Sequence, residues 1–175
     1  MSEQAGRYQR SFGGMVGAML VLVLVVLAFV VFRDLNRNDP PDPVHAEDWR
    51  TPLRFAREDA PFRVLAPERL PSGWIATSVR YQEGRRPSWH LGMLTKDQHY
   101  VGLEQAVRPV DGMVAEFVDE QAAPGDDVDV DGATWQSWSD EGGDHALTRR
   151  ADGVTTLVVG TVQTDDLAGF VATLS

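Results

Sequence analysis

The stretch Trp89 to Val107, WHLGMLTKDQHYVGLEQAV, decides the fold. Two runs of alternating apolar residues, Trp89 to Thr95 and His99 to Val107, flank the polar triplet Lys96-Asp97-Gln98. Alternation with period two is the mark of a half-buried strand. If the triplet is a hairpin loop, pairing by equal distance from it sets Met93 against Val101, Leu91 against Leu103 and Trp89 against Gln105. Trp89, Leu91, Met93, Val101 and Leu103 then share one face, as a half-buried antiparallel pair requires. The other face receives His90 opposite Glu104, Gly92 opposite Gly102 and Leu94 opposite Tyr100.

Upstream, Pro71 and Gly73 in Leu70-Pro71-Ser72-Gly73 fit the second and fourth positions of a type I turn, and a strand is expected over about Trp74 to Gln82. Downstream, Asp131-Gly132 and Asp152-Gly153 are dipeptides favoured in type I′ hairpin turns. The first sets Val130 against Ala133 and Val128 against Trp135, with Asp127, Asp129 and Thr134 on the outer face. The second sets Leu147 against Val158 and Ala146 against Val159. Thr156 to Val162 is apolar on both faces at several positions, as expected of a central strand or one covered by a helix.

Leu167, Phe170, Val171 and Leu174 fall at spacings of 0, 3, 4 and 7, which predicts a C-terminal helix over Asp165 to Leu174 with Thr164 as its N-cap. Asp111 to Glu120 carries a weaker helical pattern through Met113, Val114, Phe117 and Val118. The expected domain is α+β, an antiparallel sheet of about five to seven strands packed by one or two helices.

The amino-terminal third has a different character. Phe12 to Phe32 is a run of 21 residues without a charge, which as a helix would reach about 31 Å, enough for the hydrocarbon core of a bilayer. It is apolar all round and longer than the apolar region of a cleaved signal peptide, so it reads as an uncleaved anchor. Arg7 and Arg10 precede it and Arg33 and Arg37 follow it. The short tail and the long acidic part beyond favour an amino terminus inside and a domain outside. The organisation expected is a cytoplasmic tail (1–11), a transmembrane helix (12–32), a Pro-rich spacer (33–48) holding Pro40, Pro41 and Pro43, and an extracytoplasmic domain (49–175). Gly13 and Gly17, with the offset pair Gly14 and Ala18, form small-xxx-small patterns that permit close helix packing.

The 175 residues hold 16 Lys and Arg against 26 Asp and Glu, a net charge of -10. That balance argues against a nucleic-acid partner, because neutralising phosphates takes a clustered basic surface. The sequence contains no Cys, which removes disulfides, thiolate metal sites and cysteine nucleophiles. The charge is uneven. Arg50 to Arg108 holds ten basic and six acidic residues, and Pro109 to Asp144 holds eleven acidic and none basic.

Candidate chemistries are few. Asp127, Asp129, Asp131 and Gly132 match positions 1, 3, 5 and 6 of an EF-hand loop, but the twelfth position, where calcium needs a bidentate Glu, is Trp138. An acidic hairpin face is the better reading, with weak cation binding as the alternative. His45, His90, His99 and His145 make no short metal-binding spacing. A nucleophile elbow, a Walker loop and a dinucleotide turn are all missing, so no catalytic, metal or cofactor residues are assigned. By alternation Trp135 points to the core and Trp138 to the opposite face beside Gln136 and the acidic side chains. Trp138, with Asp127 and Asp129, is the expected interaction site.

Four stretches together, Arg7-Tyr8-x-Arg10-Ser11-Phe12-Gly13-Gly14-Met15, Leu70-Pro71-Ser72-Gly73-Trp74 with Thr77-Ser78, Trp89-His90-Leu91-Gly92 and Asp131-Gly132-x-x-Trp135, resemble an actinobacterial single-pass membrane family known as domain of unknown function number 4245. The resemblance implies a bacterial envelope location and a compact extracytoplasmic domain. The family carries no assigned reaction, so no catalytic residues follow from it. The function expected is a membrane-anchored module that binds an envelope protein, a glycan or a lipid. The alternatives are an envelope enzyme with an unrecognised site and a structural subunit of a membrane assembly. A pocket with convergent carboxylates or His would favour the enzyme, and an exposed patch around Trp138 the binder.

Overall fold

The computed structural model describes residues 12–35 and 45–175. The chain divides into two units, Met1–Pro43 and Val44–Ser175. In the first, α1 (Phe12–Leu35) is a helix of 24 residues. Its described apolar side chains, among them Met19, Leu22 and Phe29, are all exposed, and a Cβ added at Gly14 or Gly17 would meet nothing. Described side chains in α1 run from Gly14 to Phe29, with Phe32. Among the described residues no helix is long and apolar enough to cross a membrane. The tail over 1–11, most of the spacer and the surroundings of Gly13 lie outside the described residues.

The second unit is α+β. Its elements are α2 (Arg50–Asp59), β1 (Ile75–Gln82), β2 (Ser88–Leu94), β3 (Tyr100–Ala106), α3 (Val110–Phe117), β4 (Ala123–Val130), β5 (Ala133–Ser139), β6 (His145–Ala151), β7 (Val154–Gly160) and α4 (Thr164–Val171). The seven strands form one antiparallel sheet in the order β1-β2-β3-β7-β6-β5-β4. Two meanders, β1 to β3 and β4 to β7, therefore meet where β3 pairs with β7, and the chain crosses between them through α3.

The hairpin registers follow from the turns. Met93 pairs with Val101, Leu91 with Leu103 and Trp89 with Gln105, and all five apolar residues of that face are fully buried. The Thr95 hydroxyl accepts the amides of Asp97 and His99, and Gln98 takes φ 66 to close the three-residue loop. Asp131 and Gly132 have φ of 52 and 76, and Asp152 and Gly153 have 51 and 80, the left-handed pair a type I′ turn demands. Each turn delivers the expected pairs, Val128 with Trp135 and Leu147 with Val158. All seven residues of β7 are buried, as befits a strand at the centre of the sheet and covered on both faces.

Two hydrophobic layers hold the sheet. On one face Trp89, Leu91, Met93, Leu103, Leu147 and Val158 pack under α2 and α4, through Leu53, Ala56, Leu167, Phe170 and Val171. Trp74 stacks on Phe170 at 5.5 Å. On the other face Ala106, Ala146, Leu157 and Val159 pack under α3, through Met113 and Val114.

Several local expectations are corrected. The amide of Trp74 donates to the Pro71 carbonyl at 3.0 Å, so the turn lies one residue later than expected. Gly73 then sits at its third position with φ 80, which fits type II and not type I. The C-terminal helix begins at Thr164 itself, its N-cap is Gln163, and it ends at Val171. Helix α2 was not expected. Its inward residues Trp49, Leu53, Ala56 and Ala60 have helical spacing, and Pro52 is tolerated because it lies in the first turn. The Asp48 carboxylate accepts the amides of Arg50 and Thr51 there. A hydrogen bond from the Thr51 side chain is the main reason its carboxyl is held below the usual range, with the two amides adding to it.

Candidate functional site

The half of the sheet that α3 leaves open is formed by β1, β2 and β3. Its floor is set by a bulge in β1. Ala76 pairs with Met93 and Ser78 with Gly92, and the register shifts between them. Without the extra residue Ala76 and Ser78 would point the same way. With it, Ala76 enters the core while Ser78 and Arg80 turn to the open face, the re-aiming that bulges perform.

There Ser78 meets His90. The Ser78 hydroxyl lies 2.8 Å from His90 Nε2, and His90 Nδ1 makes a short contact with Glu104 Oε1. A carboxylate can only accept, so Nδ1 carries a proton, and in the neutral ring Nε2 accepts from Ser78. The side chains of His90 and Glu104 are 19% and 6% exposed. Burial pushes the Glu104 carboxyl above the usual range, opposed by its hydrogen bond with His90.

Of two facing glycines, Gly92 makes room for the Ser78–His90 contact and Gly102 for the side chain of Tyr100. A Cβ on Gly92 would stand 2.3 Å from Ser78 Oγ and 3.2 Å from His90 Nε2, and one on Gly102 would stand 2.6 Å from the Tyr100 hydroxyl. The Tyr100 ring lies over both glycines, 3.3 Å from the position of the Gly92 Cβ. Desolvation by burial, with the charges of Glu104 and Asp144, pushes its phenol up to about 12.

Beside the relay opens a cleft of about 510 Å³. His90, Glu104 and Tyr100 line one side, Met113, Glu116 and Phe117 of α3 another, and Arg80 and Arg86 a third. Arg108 also borders it but is engaged, bridging Glu116 and the Gly112 carbonyl. Among the described residues Arg80 and Arg86 make no ion pair. The cleft thus offers two guanidiniums without ion pairs, of which Arg80 lies near enough to Glu104 for its charge to favour the carboxylate, a partly buried imidazole-carboxylate pair and apolar side chains. Ser78 itself is not among the residues that line the cleft.

The residues singled out from sequence lie elsewhere. Trp138 is half-buried, not exposed. Its indole N–H donates to the Thr148 hydroxyl at 2.8 Å and its ring packs on the α3 side of the core. Alternation fixes which face a side chain takes but not what covers that face. Trp138 and Asp127 do border one shallow depression, together with Arg149 and Arg150. Asp129 does not join them; its carboxylate accepts the Gly132 amide at 3.1 Å. The convergence of His90 and Glu104 follows from the register read in the sequence. Ser78 was missed because nothing local announces the bulge that aims it.

Fold and site define a small α+β domain with an open sheet face and a polar relay beside a cleft. Residues 7–174 match the family described as Protein of unknown function (DUF4245), and the chain belongs to that family. It matches no curated protein and no solved structure.

Proposed function

We propose that the protein is a membrane-anchored binding module of the bacterial cell envelope, with its domain outside the membrane and its ligand seat in the cleft between β1–β3 and α3. The anchor rests on the 21-residue uncharged run from Phe12 to Phe32, too apolar to be left in water. The seat rests on one observation. Arg80 and Arg86 line the cleft without ion pairs, and the apolar Phe117 lines it with them. Such a pairing suits a ligand with an anionic head and a short apolar body, since arginine forks hold phosphate or carboxylate by charge-assisted bonds.

The test is a titration of the full chain in lipid nanodiscs with hexyl phosphate, followed by NMR of the arginine Nε–H signals. Saturable shifts at Arg80 and Arg86, roughly tenfold weaker binding for Arg86→Ala, and no response to hexanol support the reading. Equal response to hexanol, or none to either probe, contradicts it.

A further inference from the structure

We propose that Ser78 is a nucleophile, activated by His90 and used for acyl transfer from a carboxylic ester. The proposal goes beyond ligand binding and rests on a different observation, the ordered contact Ser78 Oγ to His90 Nε2 and His90 Nδ1 to Glu104. This is the arrangement that serine nucleophiles need, a base on the hydroxyl and an acceptor that fixes the base's tautomer. It is assembled here from three adjacent strands, and the β1 bulge and Gly92 each remove an obstacle to it, while Gly102 makes room for the Tyr100 ring.

The chemistry balances within these groups. Ser78 Oγ bonds to the ester carbonyl carbon while its proton passes to His90 Nε2. The imidazolium is held by Glu104, a positioning residue. Arg80, opposite His90 in register and on the same face, supplies the positive charge for the developing oxyanion. Collapse breaks the carbon–oxygen bond to the leaving alcohol, which takes the proton back from His90. Water then attacks the acyl-serine, gives a proton to His90 and releases the carboxylic acid as Ser78 regains its proton. An anionic group elsewhere on the ester would sit at Arg86. Tyr100 is the lid of this proposal: its ring lies over Gly92 and Gly102 beside Ser78, is 37% exposed, and its hydroxyl makes no hydrogen bond among the described residues.

The experiment is labelling of the full chain in nanodiscs with an alkyl fluorophosphonate, read by peptide mass spectrometry. The Ser78 Oγ–P bond forms, fluoride leaves and the hydroxyl proton passes to His90. The expected adduct is on Ser78, is absent in Ser78→Ala, and forms at least about 100-fold more slowly in His90→Gln, the usual scale of base removal. Tyr100→Ala accelerates it. The rate rises with pH, and Glu104→Gln displaces that profile, which a merely structural role would not do. The charged and titratable groups that share the cleft with His90 are Arg80 from β1, Arg86 from the loop after it, Tyr100 and Glu104 from β3, Arg108 from the loop that follows and Glu116 from α3. The proposal is overturned if Ser78 stays unlabelled in both the parent and Tyr100→Ala, or if labelling is unchanged in His90→Gln. Saturable hexyl phosphate binding beside an inert Ser78 would leave the cleft reading standing and remove this one alone.

Discussion

Ser78 and Gly92 face each other across β1 and β2, and the Ser78 hydroxyl fills the space that a side chain at Gly92 would claim, 2.3 Å from where its Cβ would stand. The glycine is part of the relay although it carries no functional group. Gly92→Ala is expected to push Ser78 off His90 and to cost about 1–3 kcal/mol, the range for inserting a methyl into a packed site. Urea denaturation measures the cost. An unchanged midpoint would mean that the open face is looser than described.

Glycine at 169 has the opposite meaning. It lies inside α4, exposed, and an added Cβ would meet nothing within 4 Å. Gly169→Ala should therefore stabilise the domain by about 0.5–1 kcal/mol, the helix-propensity difference between the two residues. A loss of stability in thermal unfolding would contradict the placement of α4.

Glu104 is buried and its partner is His90, so removing one leaves the other without its bond. Glu104→Ala should cost about 2–4 kcal/mol. Glu104→Gln keeps an acceptor oxygen for the Nδ1–H and should cost clearly less. Equal losses in the two variants, measured by denaturant titration, would show that the carboxamide cannot replace the carboxylate at this bond.

Two phenols should resist ionisation. Burial, then the hydrogen bond to Asp59, raises Tyr81 to about 12, and burial with nearby carboxylates raises Tyr100 to about 12. A folded-state value above the unfolded one of about 10 makes a contribution to stability that is complete below pH 10 and is lost as pH climbs toward 12. Ultraviolet titration should show both phenols ionising well above pH 10, and the melting temperature should fall across that window. Tyr81→Phe should flatten part of the fall.

Hairpin registers were legible in the sequence because Asp131-Gly132, Asp152-Gly153 and the triplet Lys96 to Gln98 each fix a turn, and strand alternation does the rest. His90 opposite Glu104 came with them. The pairing of β3 with β7 was not legible, since it joins residues such as Leu103 and Val158 far apart in the chain. Helix α2 was hidden by its charges and Pro52. Trp138 was read onto the right face but as exposed, because its cover, α3 and Thr148, comes from other elements. Ser78 reaches the relay through a register shift that strict alternation rules out, so the triad emerges only when β1 is paired.

The most direct test of the account is ¹⁵N NMR of the His90 ring near neutral pH in the parent and in Ser78→Ala. The account predicts a proton on Nδ1, bonded to Glu104, and an Nε2 signal that moves when the Ser78 hydroxyl is removed. A proton on Nε2 in the neutral ring, or an Nε2 signal indifferent to Ser78, would contradict it.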